Sequence, residues 1–245
     1  MNSPLRILIL DNNREENSFG GRDLVRWSLK TAPIGTEVMV RRSPERDFPV
    51  DLHYDALLLS GSLTSCLEID EPWVKPYDDY VTAQIHMGKP ILGICYGHQT
   101  IARCLFRMNK IEPKLGCGKD AEFGWQKIKI NGPSEIFAGL PNEFYTYESH
   151  YEEVSELPPG TKSLAESDRC KIQAFEIVGK PIYAVQFHPE YSMGDAEQSM
   201  AKKIKKGVRK DWILNPGRGA KLYNENVGNS IFGNFFKIAS QYRSS

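Results

Sequence analysis

Apolar residues in this chain come in short blocks separated by longer stretches with helical spacing. Leu5-Arg-Ile-Leu-Ile-Leu10 predicts a buried first strand. Residues 11–21 form a polar loop punctuated by Asn and Gly. Residues 22–31 predict a helix with Leu24, Val25 and Leu29 on one face. Residues 36–41 and 56–59 predict two strands, residues 74–87 a helix stopped by Gly88, and residues 90–94 another strand. A helix follows at once to about Arg107, burying Ile101, Ala102 and Leu105. From about 111 to 187 the pattern turns to mostly short strands and turns. This predicts an antiparallel excursion that rejoins the main sheet through residues 181–187. Residues 195–210 and 230–240 read as helices, the second gathering Ile231, Phe235 and Ile238, with Asn215-Pro-Gly-Arg-Gly219 as a loop between them. Strands alternating with helices imply a doubly wound, mostly parallel α/β sheet flanked by helices. No repeat or long linker divides residues 1–245, which are expected to form one domain.

Two strand ends carry candidate chemistry. Pro90-Ile-Leu-Gly-Ile-Cys95-Tyr-Gly-His-Gln99 is an apolar strand running through Gly-x-Cys-x-Gly into a helix. That is the layout of a nucleophile elbow, with cysteine in place of serine. Gly93 and Gly97 leave room for the sharp turn, and the helix N-terminus favours a thiolate. Tyr183-Ala-Val-Gln-Phe-His188-Pro-Glu190 is a second apolar strand, ending in histidine and then glutamate across a rigid proline. A cysteine nucleophile needs a base of this kind, and the base needs a group that fixes its ring. Cys95, His188 and Glu190 therefore read as a triad. In a doubly wound sheet such loops gather at the carboxyl ends of the strands.

Composition narrows the field. The 245 residues carry 31 basic and 31 acidic side chains, so no global field favours nucleic acid, membrane or acidic ligands. No apolar run approaches the ~18 residues of a membrane span, and the N-terminus lacks a signal-peptide layout. The five cysteines show no C-x-x-C spacing, which argues against a disulfide framework or a zinc site. A cytoplasmic location suits an active thiol. His53, His86, His98 and His150 show no metal-ligand spacing, and His98 reads as structural. Ser60-Gly-Ser-Leu-Thr-Ser65 lacks the aspartate of an ATP-pyrophosphatase loop, and no Walker loop or G-x-G-x-x-G occurs. No metal or cofactor is expected. Lysines 202, 203, 205, 206 and 210 cluster on one predicted helix and read as a solvated face, with a partner-docking patch as the alternative.

The two motifs together resemble those of the class I (triad) glutamine amidotransferases, whose fold is flavodoxin-like. Two further segments resemble the family in order, within residues 5–192. Ala56-Leu-Leu-Leu-Ser60-Gly61-Ser62 is similar to its strand and oxyanion loop. Tyr147-Glu-Ser149-His150-Tyr151 is similar to the substrate-side segment of the GMP-synthase-type glutaminase branch. The resemblance implies that Cys95 attacks the glutamine carboxamide to form a γ-glutamyl thioester, with His188 as base and acid and Glu190 orienting it. It implies oxyanion donors at Tyr96 N–H and in the Gly61–Ser62 turn. It also implies contacts to the amino-acid end of the substrate from Gln99, Ser149, His150 and Tyr151. The oxyanion loop departs from the family's Ser-Gly-Gly-Pro, reading Ser60-Gly61-Ser62-Leu63. Loss of the second glycine matters if that position needs a positive φ. The hole is then completed on partner binding, or shaped for another γ-glutamyl substrate.

The expected activity is glutamine hydrolysis that supplies ammonia to a separate synthetase partner. The alternative is a stand-alone γ-glutamyl peptidase using the same triad. A catalytically silent regulatory or binding subunit is disfavoured by the intact Cys-His-Glu set.

Overall fold

A computed structural model describes residues 4–15 and 19–243; part of the polar loop 11–21 and the last residues of the C-terminal segment lie outside them. In chain order it contains β1 (Arg6–Asp11), α1 (Phe19–Thr31), β2 (Glu37–Arg42), β3 (Ala56–Leu59), α2 (Val74–His86), β4 (Ile91–Ile94) and α3 (Tyr96–Met108). Then follow β5 (Leu115–Ile130), β6 (Glu143–Val154), β7 (Thr161–Glu166), β8 (Ala174–Ile177) and β9 (Ile182–Val185). The chain closes with α4 (Met193–Lys205), β10 (Ile213–Leu214), α5 (Gly219–Leu222) and α6 (Glu225–Tyr242). The strand order is β10-β5-β7-β8-β9-β4-β3-β1-β2, with β6 paired to β5. β2, β1, β3, β4 and β9 pair in parallel, whereas β5 to β9 form the antiparallel excursion. This is the doubly wound, mostly parallel architecture expected from the alternation of strands and helices.

The central strands read as unbroken apolar runs because both of their faces are covered. Side chains alternate across the sheet. Ile7 and Ile9 point into a core with Trp27, Phe232 and Phe235, between the sheet and helices α1 and α6. Leu8 and Leu10 point the other way, against Tyr77, Val81, Ile101 and Leu105 of α2 and α3.

Two expectations change. Leu29 is exposed; the buried partner of Leu24 on α1 is Trp27, whose indole stacks on Phe232 at 5.4 Å and N–H finds a carbonyl acceptor. The stretch after residue 111 holds two long strands rather than only short ones. Charged side chains at buried positions, Glu122, Glu148 and His150, break the alternation, and a register shift between Cys117 and Glu122 bends the pair.

Candidate active site

β4 ends at Ile94 and α3 begins at Tyr96, leaving Cys95 alone on the turn at φ 51° and ψ −102°. A non-glycine residue in this region costs about 1–3 kcal/mol and persists only where its surroundings enforce it. Here the Cys95 N–H donates to Val185 O (2.8 Å), and the Cys95 carbonyl accepts from Gln99 N (3.0 Å). The flanking glycines make the turn possible by close approach. A Cβ on Gly93 would lie 2.7 Å from the Gly97 backbone, and one on Gly97 would lie 2.6 Å from Leu59 O. The first N–H groups of α3 have no intrahelical acceptor, so the Tyr96 N–H is available beside the sulfur.

His188 follows β9. Its N–H donates to Tyr147 O (2.8 Å), which ties the histidine loop to β6. Its Nδ1 lies 2.6 Å from Glu190 Oε1, and its ring packs on Tyr191 at 4.6 Å. Trp27 Nε1 (2.8 Å) and Arg26 Nη2 (2.6 Å) both donate to the Glu190 carbonyl and fix this loop against α1. Among the described residues His188 Nε2 has no hydrogen bond, which leaves it for the cysteine side. Burial works against a charged His188, but Glu190 and Cys95 outweigh it and hold the imidazole well above its ordinary pKa.

The Gly61–Ser62 turn closes the third side. The Gly61 carbonyl accepts from Ser60 Oγ (2.8 Å) and Asn13 Nδ2 (3.1 Å). Across a trans peptide the Ser62 N–H points the opposite way. Ser62 Oγ donates to Asn12 O (2.7 Å) and accepts from Thr64 N (3.0 Å), so the hydroxyl braces the loop. Ser62 does not adopt positive φ, so serine in place of the second family glycine brings no backbone strain here. Gly61 itself tolerates little: an added Cβ would meet His188 Cε1 at 3.1 Å and Cys95 Cβ at 3.5 Å. Gly61→Ala is therefore expected to lower kcat by about tenfold or more while the thermal midpoint stays nearly constant. Steady-state kinetics and calorimetric melting of the variant check this.

Gln99 sits one turn along α3 and donates through Nε2 to Glu152 O (2.8 Å) and Gln186 Oε1 (3.1 Å). It lines a cleft with Cys95, Ser149, His150, Tyr151 and Glu152. A neighbouring cavity of about 140 Å³ is lined by His188, Glu190, Tyr191, Gly61 and Ser149. Nine of the ten residues singled out from the sequence therefore line these two cavities; the tenth, Tyr96, follows Cys95 in the chain and buries its ring against Trp73 and Tyr77. The His150 ring is buried, with Nε2 3.0 Å from Glu122 Oε2 and 3.4 Å from Glu148 Oε2. Burial opposes its charge, but the two carboxylates raise its pKa well above the usual value. Its contact to a ligand in the cleft is left to the backbone.

Glu122, Glu148 and His150 bring three potential metal-ligand atoms within 4.8 Å of one another. Their arrangement is that of a histidine between two buried acids, with Gln173 and Ser167 donating to Glu122; burial pushes the Glu148 carboxyl up to about 7. His98 is fully buried on Phe175 at 4.9 Å, where burial pushes its pKa down to about 3. This is the structural role expected for it. Sequence reasoning missed the Glu122–His150 pair. Its only local trace is Glu148 and His150 alternating on one strand face; finding Glu122 requires the β5–β6 register, which pairs it directly with His150. It also missed Trp27 and Arg26, and it placed Lys203 on a solvated face although that residue lines both clefts.

The fold and the site define an α/β protein with a cysteine elbow and a histidine–glutamate pair at the carboxyl ends of neighbouring parallel strands. A family model, "Glutamine amidotransferase class-I", matches residues 28–206. The chain is 43% identical over 191 residues to a subunit of the glutamine-hydrolysing GMP synthase of Pyrococcus abyssi, covering 75% of this chain and 88% of that one. It is 48% identical over 101 residues to the subunit of the same name from Thermococcus kodakarensis, which is 41% of this chain and half the length of that relative. A glutamine amidotransferase from Thermotoga maritima shares the fold at a TM-score of 0.72 and 18% identity, covering 95% of this chain and 98% of that one. The chain belongs to the class I glutamine amidotransferase family and is an enzyme of that class.

Proposed function

We propose that this protein hydrolyses the γ-carboxamide of L-glutamine and supplies the ammonia to a separate synthetase partner. The observation that carries the reading is Cys95, held at positive φ on a helix N-terminus beside a histidine that Glu190 orients. The Cys95 sulfur attacks the carboxamide carbon, and charge developing on the oxygen falls to the Tyr96 N–H and the Gly61–Ser62 turn. The C–N bond breaks as His188 gives its proton to the departing ammonia, leaving a γ-glutamyl thioester. Water then attacks the thioester, His188 takes its proton, and glutamate leaves with the thiolate restored. Relatives named as a subunit of glutamine-hydrolysing GMP synthase support this substrate and a separate partner. The whole chain acts as one catalytic unit. A reducing cytoplasm keeps its thiol active; among the described residues no helix is long and apolar enough to cross a membrane.

One observation favours a second reading. The cavity on the His188 side, about 140 Å³, exceeds what departing ammonia needs, since a water-sized molecule occupies about 30 Å³. That room suits the amine of a γ-glutamyl peptide. The test measures glutamate release from L-glutamine and from γ-glutamyl peptides, with Cys95→Ser as blank. Preference for glutamine at a low basal rate, rising when a synthetase partner is added, is the expected result. Preference for the peptides would establish the self-sufficient hydrolase instead, and full glutamine turnover without a partner would remove the gating step.

A further inference from the structure

Lysines of α4 and the residue after it stand at the rim of the site, and Lys203 is the half-buried one. Lys202, Lys203 and Lys206 line the cavity beside His188, and Lys203 alone of the three also lines the cleft that holds Cys95 and Gln99. Lys203 Nζ lies 4.1 Å from the Phe123 ring centroid and 4.6 Å from that of Tyr151. Two aromatic faces supply only part of what an ammonium loses on leaving water. Among the described residues Lys203 forms no ion pair with a carboxylate. Burial and the neighbouring Lys206 lower its pKa to about 8, while Cys95 and Glu152 favour its charge. A half-buried cation without a carboxylate partner, opening onto a cleft, is poised for an anion that arrives from outside.

The charges on the other parts of that cleft indicate which anion. Glu152 and Glu68 line it together with Lys203. Glu152 is held by Ser65, whose hydroxyl donates to Oε1 (2.5 Å), and its own carbonyl accepts from Gln99. A cleft beside the nucleophile that carries a cation and two carboxylates matches a zwitterion better than it matches a simple anion. The amino-acid end of a γ-glutamyl group is such a zwitterion. We propose that Lys203 is a specificity-determining residue that binds the α-carboxylate of the substrate's γ-glutamyl group, with Glu152 on the side of its α-ammonium. The inference rests on the proposed glutamine chemistry and adds how the substrate is told from a plain carboxamide.

The test uses the full chain with Cys95→Ala, which binds without turning over. Calorimetric titration compares L-glutamine with L-glutaminamide, in which a neutral carboxamide replaces the α-carboxylate. Adding Lys203→Met is expected to weaken L-glutamine by about tenfold or more and to leave L-glutaminamide no weaker than before. Lys203→Arg, which keeps the charge, is expected to retain most of the L-glutamine affinity. Unchanged L-glutamine binding in Lys203→Met would overturn the inference alone. So would an equal loss for both ligands, because that marks a residue that only packs against Phe123 and Tyr151. Failure of the Cys95→Ala chain to bind either ligand would overturn the glutamine reading and this inference with it.

Discussion

Cys95→Ser and His188→Ala are each expected to lower turnover by about 10³-fold or more, whichever γ-glutamyl compound is the substrate. The two residues act on the same proton and the same bond, so combining the substitutions should cost little beyond either alone. Serine at 95 keeps the elbow and its φ, but an alkoxide is far less accessible than a thiolate near neutral pH. Alanine at 188 removes the group that protonates the departing amine and deprotonates the incoming water. Glu190→Gln should cost less, because a carboxamide can still accept the Nδ1 hydrogen bond while losing the charge that raises the His188 pKa. Single-turnover and steady-state assays of the four proteins check this ordering. More than a tenth of wild-type activity in either Cys95→Ser or His188→Ala would remove the triad assignment.

These residues were legible in the sequence because each motif is local. The elbow needs five consecutive residues, and the Gly93 and Gly97 contacts show why two of them have no side chain. Likewise His188, Pro189 and Glu190 are contiguous, so the Nδ1–Oε1 hydrogen bond is nearly built into the chain. The parallel core was legible for a related reason. A strand buried on both faces leaves an unbroken apolar run, as in β1 and β3.

What stayed hidden depends on distant partners. Nothing in α1 marks Trp27 and Arg26 as clamps on the Glu190 carbonyl, since the contacts bridge 163 and 164 positions along the chain. Lys203 belongs to a run of lysines in which the others are exposed. Only the packing of α4 against β5 and β6 turns that one toward Phe123 and Tyr151. The alternation in β5 and β6 was blurred because one face buries charges. Glu122, Glu148 and His150 read as polar surface until the register pairs them. Long-range ion pairs leave no periodic trace, whereas apolar burial does.

Arg103→Met is expected to lower the free energy of unfolding by about 3–5 kcal/mol. Arg103 is 1% exposed on α3 and donates to both carboxylate oxygens of Asp78 on α2, at 2.8 and 2.7 Å. Burial alone would disfavour its charge, but the hydrogen bonds and charge of Asp78 hold it protonated. Methionine fills much of the space yet leaves the buried Asp78 carboxylate with Arg107 alone, whose side chain is 41% exposed. Truncating one partner of a buried pair costs more than the pair contributes, because the remaining charge keeps its desolvation cost. The loss should also reach the site. Arg103 Nη1 donates to Cys66 O (3.2 Å), joining the elbow helix to the segment that continues from the Gly61–Ser62 turn. Urea unfolding should therefore show a lower midpoint, and kcat should fall under conditions where the variant is still folded. Replacing the pair together, as Asp78→Leu with Arg103→Met, should recover much of the stability, because no buried charge is then stranded. It should not recover kcat, since the link to the Cys66 carbonyl stays broken. Recovery of both would reduce Arg103 to an anchor between two helices, with no part in holding the oxyanion side of the site.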